Sequence, residues 1–260
     1  MTETCVIVWS CGGDMLTEER QQKILKCLEE HSAITVMELT ELLDASESTI
    51  RRDLNALHKM GKLVKVHGGA TSVDNNMASV EYDMTTKAGL ALTEKKKIAQ
   101  YAASLIEKDD FVFIDAGSTT EYMIDYINEP AEYVTNGLSH ARKLSMKGFR
   151  VHILGGEYKM STEAIIGVEA LRSLEPYHFT KAFMGVNGIS MTGGYSTPDT
   201  QEAYVKKAVI ERSGESFILA DHSKFNMISR VTFAALGDAV IITDLKPDEN
   251  YEDYTVVKEV

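Results

Sequence analysis

Arg51, Arg52, Asn55 and Lys59 are residue types that read nucleic acid, and their spacing puts them on one side of a helix drawn from Ser46 to Met60. At about 100° per residue, Ser48 joins this fan, while Ile50, Leu54 and Leu57 gather on the opposite side. Arginine bonds guanine bidentately and asparagine does the same with adenine. Ser46 is placed to cap the helix. That leaves Ser48 and Thr49 in the first turn, where backbone N–H groups can meet a phosphate. The next string, KLVKVHGGA, holds Lys62, Lys65 and His67 ahead of Gly68 and Gly69. It predicts a basic hairpin, with glycines that permit a tight turn or close approach to a phosphate sugar. A preceding helix, a short turn, this helix and the hairpin make a winged helix-turn-helix. An ordinary amphipathic helix with a solvated basic face fits the periodicity equally.

A second group of residues suits an anionic ligand. FVFID runs into AGSTTEYMIDYI, a strand followed by a turn of small residues and a helix start. There Asp115 precedes Gly117, Ser118, Thr119 and Thr120, which offer hydroxyls and free N–H groups to a phosphate. The GK[ST] ending of a Walker loop is absent, and a plain helix cap also fits the turn. Other strand ends add Asn136, the pair Gly155 and Gly156, the pair Asn187 and Gly188, and Lys224 in LADHSKF. Ligands of parallel sheets collect at such ends, and Lys224 could neutralise a phosphate. Glu202 and Lys206 stand four apart on one helical face, as a surface pair or as the lining of a polyol site. Asp115, Asp199, Glu202 and His222 also permit acid–base work, which keeps open a sugar-phosphate isomerase or deaminase carrying a DNA-binding domain.

The elements that must position these residues follow from periodicity. A helix is predicted over 17–30 with Thr17 as its cap, a short one over 35–43, and the third over 46–60. Residues 71–92 lose periodicity and form the linker candidate. From 93 onward, helical patterns alternate with apolar runs at 111–115, 132–135, 150–156, 181–187, 216–220 and 239–244. This alternation predicts a mostly parallel sheet covered on both faces. The predicted class is α/β. A winged helix-turn-helix at 15–70 precedes a Rossmann-like sensor domain at 93–245. Residues 1–14 are expected to be an extension ahead of MLTEERQQKIL. The stretch 246–260 is expected to be an acidic tail, in which TVV could add an edge strand.

Composition narrows the partners. The net charge is −12, which disfavours broad nonspecific binding to nucleic acid and hence an architectural DNA protein. Between Asp44 and Ala70, however, five basic residues stand against three acidic ones. One basic segment in an acidic chain is what a small DNA-reading module requires. No apolar stretch approaches the ~20 residues needed to span a bilayer. The three cysteines fit no metal spacing and suggest reduced thiols in the cytoplasm. No metal and no cofactor are expected.

SESTIRRDLNALHKMGKLVKVHGGA closely resembles the N-terminal motif of DeoR-family bacterial repressors. DAGSTT, VTN, GG, NGI, the Glu-containing helix and AD-x-SK follow in that family's order over roughly 80–244. The resemblance implies a repressor of sugar-utilisation genes that a phosphorylated sugar releases from its operator. It also implies a sensor fold like that of ribose-5-phosphate isomerase and glucosamine-6-phosphate deaminase. Gly117, Ser118, Thr119 and Lys224 would hold the phosphate, with Lys206 assisting. Asn136, Asn187, Gly188 and Glu202 would face the sugar. MLTEERQQ, ASESTIRRDL, STEAIIG and STPDTQEAYVKKAVI resemble fructose-operon repressors, which makes fructose 1-phosphate the first-choice effector. Paired half-sites favour a homo-oligomer, dimer or tetramer.

Overall fold

In the computed structural model the described residues are 16–31, 33–60, 62–66, 68–72, 90–247 and 250–260. The expected extension at 1–14, most of the expected linker and His67 lie outside them. The chain divides into two compact units after Asn75.

The first unit runs α1 (Thr17–His31), β1 (Ala33–Thr35), α2 (Val36–Leu43), α3 (Glu47–Lys59), β2 (Leu63–Val66) and β3 (Gly69–Ser72). Thr17 is the first helical residue and not the cap. Thr35 caps α2 in a reciprocal box with Glu38, and Ser46 caps α3 by accepting from the Thr49 N–H. Ile24, Leu28, Leu39, Ile50, Leu54, Leu57 and Leu63 form the centre of one core. The wing is more than a hairpin, because β1 pairs with β3 to give the order β1-β3-β2. Three residues, AIT, are too few to show alternation, so β1 escapes prediction. The strand pairing carries the unit past the expected boundary at 70, to Ser72.

The second unit opens with α4 (Leu92–Ser104), β4 (Phe111–Ile114), α5 (Ser118–Tyr126), β5 (Glu132–Thr135), α6 (Leu138–Met146) and β6 (Arg150–Ile153). A hairpin of β7 (Glu157–Lys159) and β8 (Ala164–Ile166) leads to α7 (Val168–Leu174) and β9 (Phe179–Gly185). Then come β10 (Gly188–Ser190), β11 (Gly194–Thr197), α8 (Thr200–Ile210), β12 (Ser213–Leu219), β13 (Val231–Ala234), β14 (Val240–Thr243) and β15 (Val257–Glu259). Among the described residues seven strands form one parallel sheet in the order β15-β14-β12-β9-β4-β5-β6. Alternate strand residues serve opposite faces, as the pleat requires. Val112 and Ile114 pack with Ile98, Ala102 and Met123 on one side, whereas Phe113 and Ala182 pack with Leu174 and Val209 on the other.

The strand order reverses between the parallel neighbours β4 and β9, and in sheets of this kind the crevice for a ligand lies at the carboxyl ends of such strands. The expected acidic tail is corrected. β15 pairs with β14, and Tyr251 is buried, its hydroxyl 2.9 Å from Asn226 Oδ1. The strand is the edge strand that the TVV run allowed, shifted to Val257–Glu259: Val257 is buried and Lys258 and Glu259 are exposed, so its charges disguise it.

Candidate functional site

In α3, Arg51, Arg52 and Asn55 are exposed, while Ile50, Leu54 and Leu57 are buried. Arg51 pairs with Glu47 one turn earlier at 2.6 Å. Asn55 Oδ1 accepts from Lys65 Nζ at 2.7 Å, which ties the helix to β2 of the wing. Ser48 is exposed, its Oγ 3.0 Å from that of Ser46, and Thr49 is half-buried. Lys62 and Gly68 are exposed, and Gly68 takes a left-handed turn at φ 83°. Gly69 is buried, and a Cβ there would meet Ile34 O at 2.2 Å. Its lack of a side chain is therefore required by β1 packing, not by approach to DNA. Asp53, beside Arg52, is buried under α1 and accepts from Arg20 Nε at 2.5 Å. The side chain of Lys59 lies outside the described residues.

Because Arg51 and Arg52 project away from the core, Arg51→Ala and Arg52→Ala should leave the fold intact. Each should weaken operator binding by about 1–3 kcal/mol. Anisotropy titrations at several salt concentrations check this; unchanged binding in both variants would remove α3 as the reading helix.

In the second unit the turn from β4 to α5 lies at the crevice. The Asp115 N–H donates to Phe183 O, and the Ala116 N–H to Asn136 Oδ1 at 2.8 Å. Gly117 precedes α5, whose first helical bond runs from Glu121 N to Gly117 O. The N–H groups of the first turn are thus left without intrahelical acceptors. Thr120 Oγ1 donates back to Asp115 O and Gly117 O at 2.6 and 2.8 Å. His140 Nε2 stands 3.1 Å from Gly117 O. Burial pushes its pKa down to about 4, with Lys143 acting in the same direction and the Gly117 contact opposing, so it is neutral near pH 7. Asn136 Nδ2 lies 3.5 Å from Ile165 O. Thr120 and Asn136, expected as ligand contacts, are instead buried braces of the turn. Ser118 Oγ accepts from the buried Lys95 Nζ at 3.0 Å.

Lys206, expected to assist the phosphate, is spent elsewhere. Its ammonium pairs with Asp115 Oδ2 and donates to Gly185 O at 3.0 Å, with both charged groups buried. Burial pushes the Asp115 carboxyl above its ordinary range, against the pull of Lys206. Lys224 is one-third exposed and 4.0 Å from Asp221 Oδ2. Burial opposes ionisation of Asp221. The charge of Lys224, the bonds from Ser223 and the charge of Lys95 together outweigh it and hold the carboxyl below its ordinary range. His222 is held by Asp244 at 2.7 Å.

Glu202 does not pair with Lys206 on the surface; both are buried. Glu202 accepts from Thr162 Oγ1 at 2.6 Å and from Lys159 Nζ at 3.1 Å. Lys159 also donates to Asp199 at 3.0 Å. Thr197 Oγ1 stands 3.2 Å from Asn187 Oδ1 and 3.4 Å from Glu202 Oε2, which joins the two expected sugar contacts in one polar network. The glycines answer to packing. A Cβ on Gly156 would meet Ile166 O at 2.6 Å, and one on Gly188 would meet Met227 O at 2.5 Å. The Gly155 N–H donates to Ser173 Oγ at 3.1 Å. Among the described residues, no group of His, Cys, Asp or Glu is placed to hold a metal. No helix among them is long and apolar enough to cross a membrane.

Residues 20–76 match the DeoR-like helix-turn-helix domain, and residues 91–245 match the DeoR C terminal sensor domain. The chain belongs to the DeoR family. The "Uncharacterized HTH-type transcriptional regulator FruR" of Bacillus subtilis (strain 168) is 43% identical to this DeoR-family chain, over 95% of it and 99% of the relative. The "Lactose phosphotransferase system repressor" of Streptococcus mutans serotype c (strain ATCC 700610 / UA159) is 35% identical, over 95% and 99%. These relatives are named as transcriptional regulators, not as enzymes. A ribose 5 phosphate isomerase A from Neisseria gonorrhoeae overlaps 57% of this chain and 57% of its own at a TM-score of 0.39 and 18% identity. That match is too loose to bear on ligand or reaction.

In this DeoR-family protein, Lys95, His140, Lys159, Thr162 and Thr197 belong to the site without having been singled out from sequence. Lys95 carried a readable signal. With Ile98 and Ala102 it falls at i, i+3 and i+7, which sets a lysine on the apolar stripe of α4. His140 also carried one, since it stands four residues before Leu144 on the buried face of α6, whereas Lys159 and Thr162 come from a short hairpin with no periodicity to betray them.

Proposed function

We propose that the protein represses sugar-utilisation genes from operator DNA in the cytoplasm and is released when a phosphorylated sugar, fructose 1-phosphate foremost, binds its sensor unit. The carrying observation is the turn at the strand-order reversal, where Gly117, Ser118 and Thr119 open α5 and the buried Lys95 bonds Ser118. Lys224 is near Asp221, a carboxylate that the charge of Lys95 also reaches. Free N–H groups, hydroxyls and two ammonium groups suit a dianion. Asn187 and Glu202 meet the sugar hydroxyls, with Lys159 and Thr197 as their partners. A relative named as a repressor of a lactose phosphotransferase system supports a sugar-linked role. Acid–base turnover has less support, because Asp115 is locked to Lys206 and His222 to Asp244. The working form is a homo-oligomer, dimer or tetramer, that pairs two reading heads on one operator.

Calorimetry tests the site. Wild type should bind fructose 1-phosphate far more tightly than fructose, because the unphosphorylated sugar leaves the anion donors unmatched. Thr119→Ala and Lys224→Ala should weaken the phosphorylated sugar selectively. Equal affinity for the two sugars, or no loss in either variant, would remove the phosphate site.

A further inference from the structure

We propose that Lys95 passes occupancy of the effector turn to the chain arriving from the DNA-binding unit, a proposal that rests on reading Gly117–Thr119 as the anion site. Lys95 touches both ends of that route. Its side chain donates to Ser118 Oγ at 3.0 Å, at the first residue of α5. Its backbone N–H donates to Ala91 O at 2.9 Å. Ala91 stands just before α4 in a left-handed conformation, φ 51° and ψ 43°, which is strained for a residue with a Cβ. At Ala91 the chain turns from the incoming segment into the sensor unit's first helix. One residue therefore bonds the effector turn with its side chain and the strained entry with its backbone.

The surroundings confine any shift to this turn. Ile98, Ala99 and Ala102 of α4 share a core with Met123 and Ile124 of α5, so the body of α4 is fixed against the helix that carries the site. The first turn, with Leu92 exposed and Glu94 half-buried, is the part left to move. Ser118 and Asp221 are competing electrostatic partners of Lys95. It bonds the Ser118 hydroxyl and its charge reaches Asp221, which Lys224 serves as well. An anion arriving on the N–H groups of Ser118 and Thr119 adds a second negative group, and the ammonium repartitions between them. Lys95 is only 5% exposed, which leaves its head little room to move independently of the turn that carries it and of the bond to Ala91. A ligand shifts an equilibrium only through contacts that differ between two states, and this lysine supplies such a contact.

The test uses the full-length chain, fructose 1-phosphate, and a duplex that wild type protects in a footprint. The readout is the ratio of operator Kd with and without saturating fructose 1-phosphate, taken within each variant, with saturation set by calorimetry. Wild type should show a ratio of roughly 5–150. Lys95→Met keeps the apolar stem but removes one cation of the anion site, so it should bind fructose 1-phosphate more weakly, and at its own saturating concentration its ratio should fall towards unity. A wild-type ratio in a Lys95→Met protein that binds the sugar phosphate would overturn the proposal. Should Lys95→Met fail to fold or to bind, Ser118→Ala decides, since it removes the same bond and keeps the lysine. Ser118→Ala is also expected to bind less tightly, so its ratio is read at its own saturating concentration; a reduced ratio there supports the route, and a wild-type ratio overturns it. If wild type itself neither binds nor responds to fructose 1-phosphate, the anion-site reading fails and the route fails with it. That outcome is distinct from a responsive wild type with an equally responsive variant.

Discussion

Lys206→Met is expected to destabilise the sensor unit by about 3–5 kcal/mol, the usual loss when one partner of a buried ion pair is removed. Lys206 and Asp115 are both nearly inaccessible, and Asp115 also accepts from the Gly185 N–H at 3.2 Å. Methionine keeps most of the volume but leaves the carboxylate without a counter-charge at the centre of the strand-order reversal. The sign of the pH dependence follows from the carboxyl. Burial already raises Asp115 above its ordinary value, and loss of Lys206 raises it further. A raised carboxyl favours the folded state while protonated, below about pH 4, and that stability is lost as pH rises through the folded pKa. The deficit against wild type should therefore be smallest in acid and grow toward neutrality. Urea unfolding across a pH series reads it directly. A deficit independent of pH would show that Asp115 is not the group left stranded.

Leu54→Ala should destabilise the first unit by about 2–5 kcal/mol. Leu54 is fully buried among Ile50, Leu57, Leu39 and Ile24 in a core of short elements. Small domains hold only ~5–15 kcal/mol in total, so this one change threatens a large share of the unit's stability. Hydrogen exchange should show protection lost in α1 to α3, with the strands of the second unit unaffected. Retained protection in α3 would contradict the packing of the reading helix. The contrast with Arg51 and Arg52 is the useful one. Residues on one face of α3 are expected to set whether the unit folds, and those on the other whether it holds DNA.

The two faces of α3 were legible because a period of 3.6 separates Ile50, Leu54 and Leu57 from Arg51, Arg52 and Asn55 without help from the rest of the chain. The parallel sheet was legible for a similar reason, since strands buried on both faces appear as short apolar runs between helices. What escaped depends on contacts distant in sequence. Asp53 looks like another solvated charge in TIRRDL, yet Arg20 of α1 holds it beneath the helix. Lys206 reads as half of a surface pair with Glu202, until folding delivers Asp115 to it from a strand far earlier in the chain. Gly69, Gly156 and Gly188 read as places for a phosphate or sugar, because a sequence does not show which backbone lies against a missing Cβ. Asn136 was correctly located at a strand end, but its amide is consumed in shaping the turn.

Release from DNA is proposed to depend on the phosphate of the sugar. The most direct measurement is anisotropy of a labelled operator duplex with the full-length protein, titrated in parallel with fructose 1-phosphate and with fructose. Fructose 1-phosphate should weaken operator binding by roughly 5–150-fold, the range of typical allosteric coupling, while fructose at the same concentration leaves it unchanged. Operator affinity that stays constant when the sensor is saturated with fructose 1-phosphate, or that falls equally with fructose, would contradict the account.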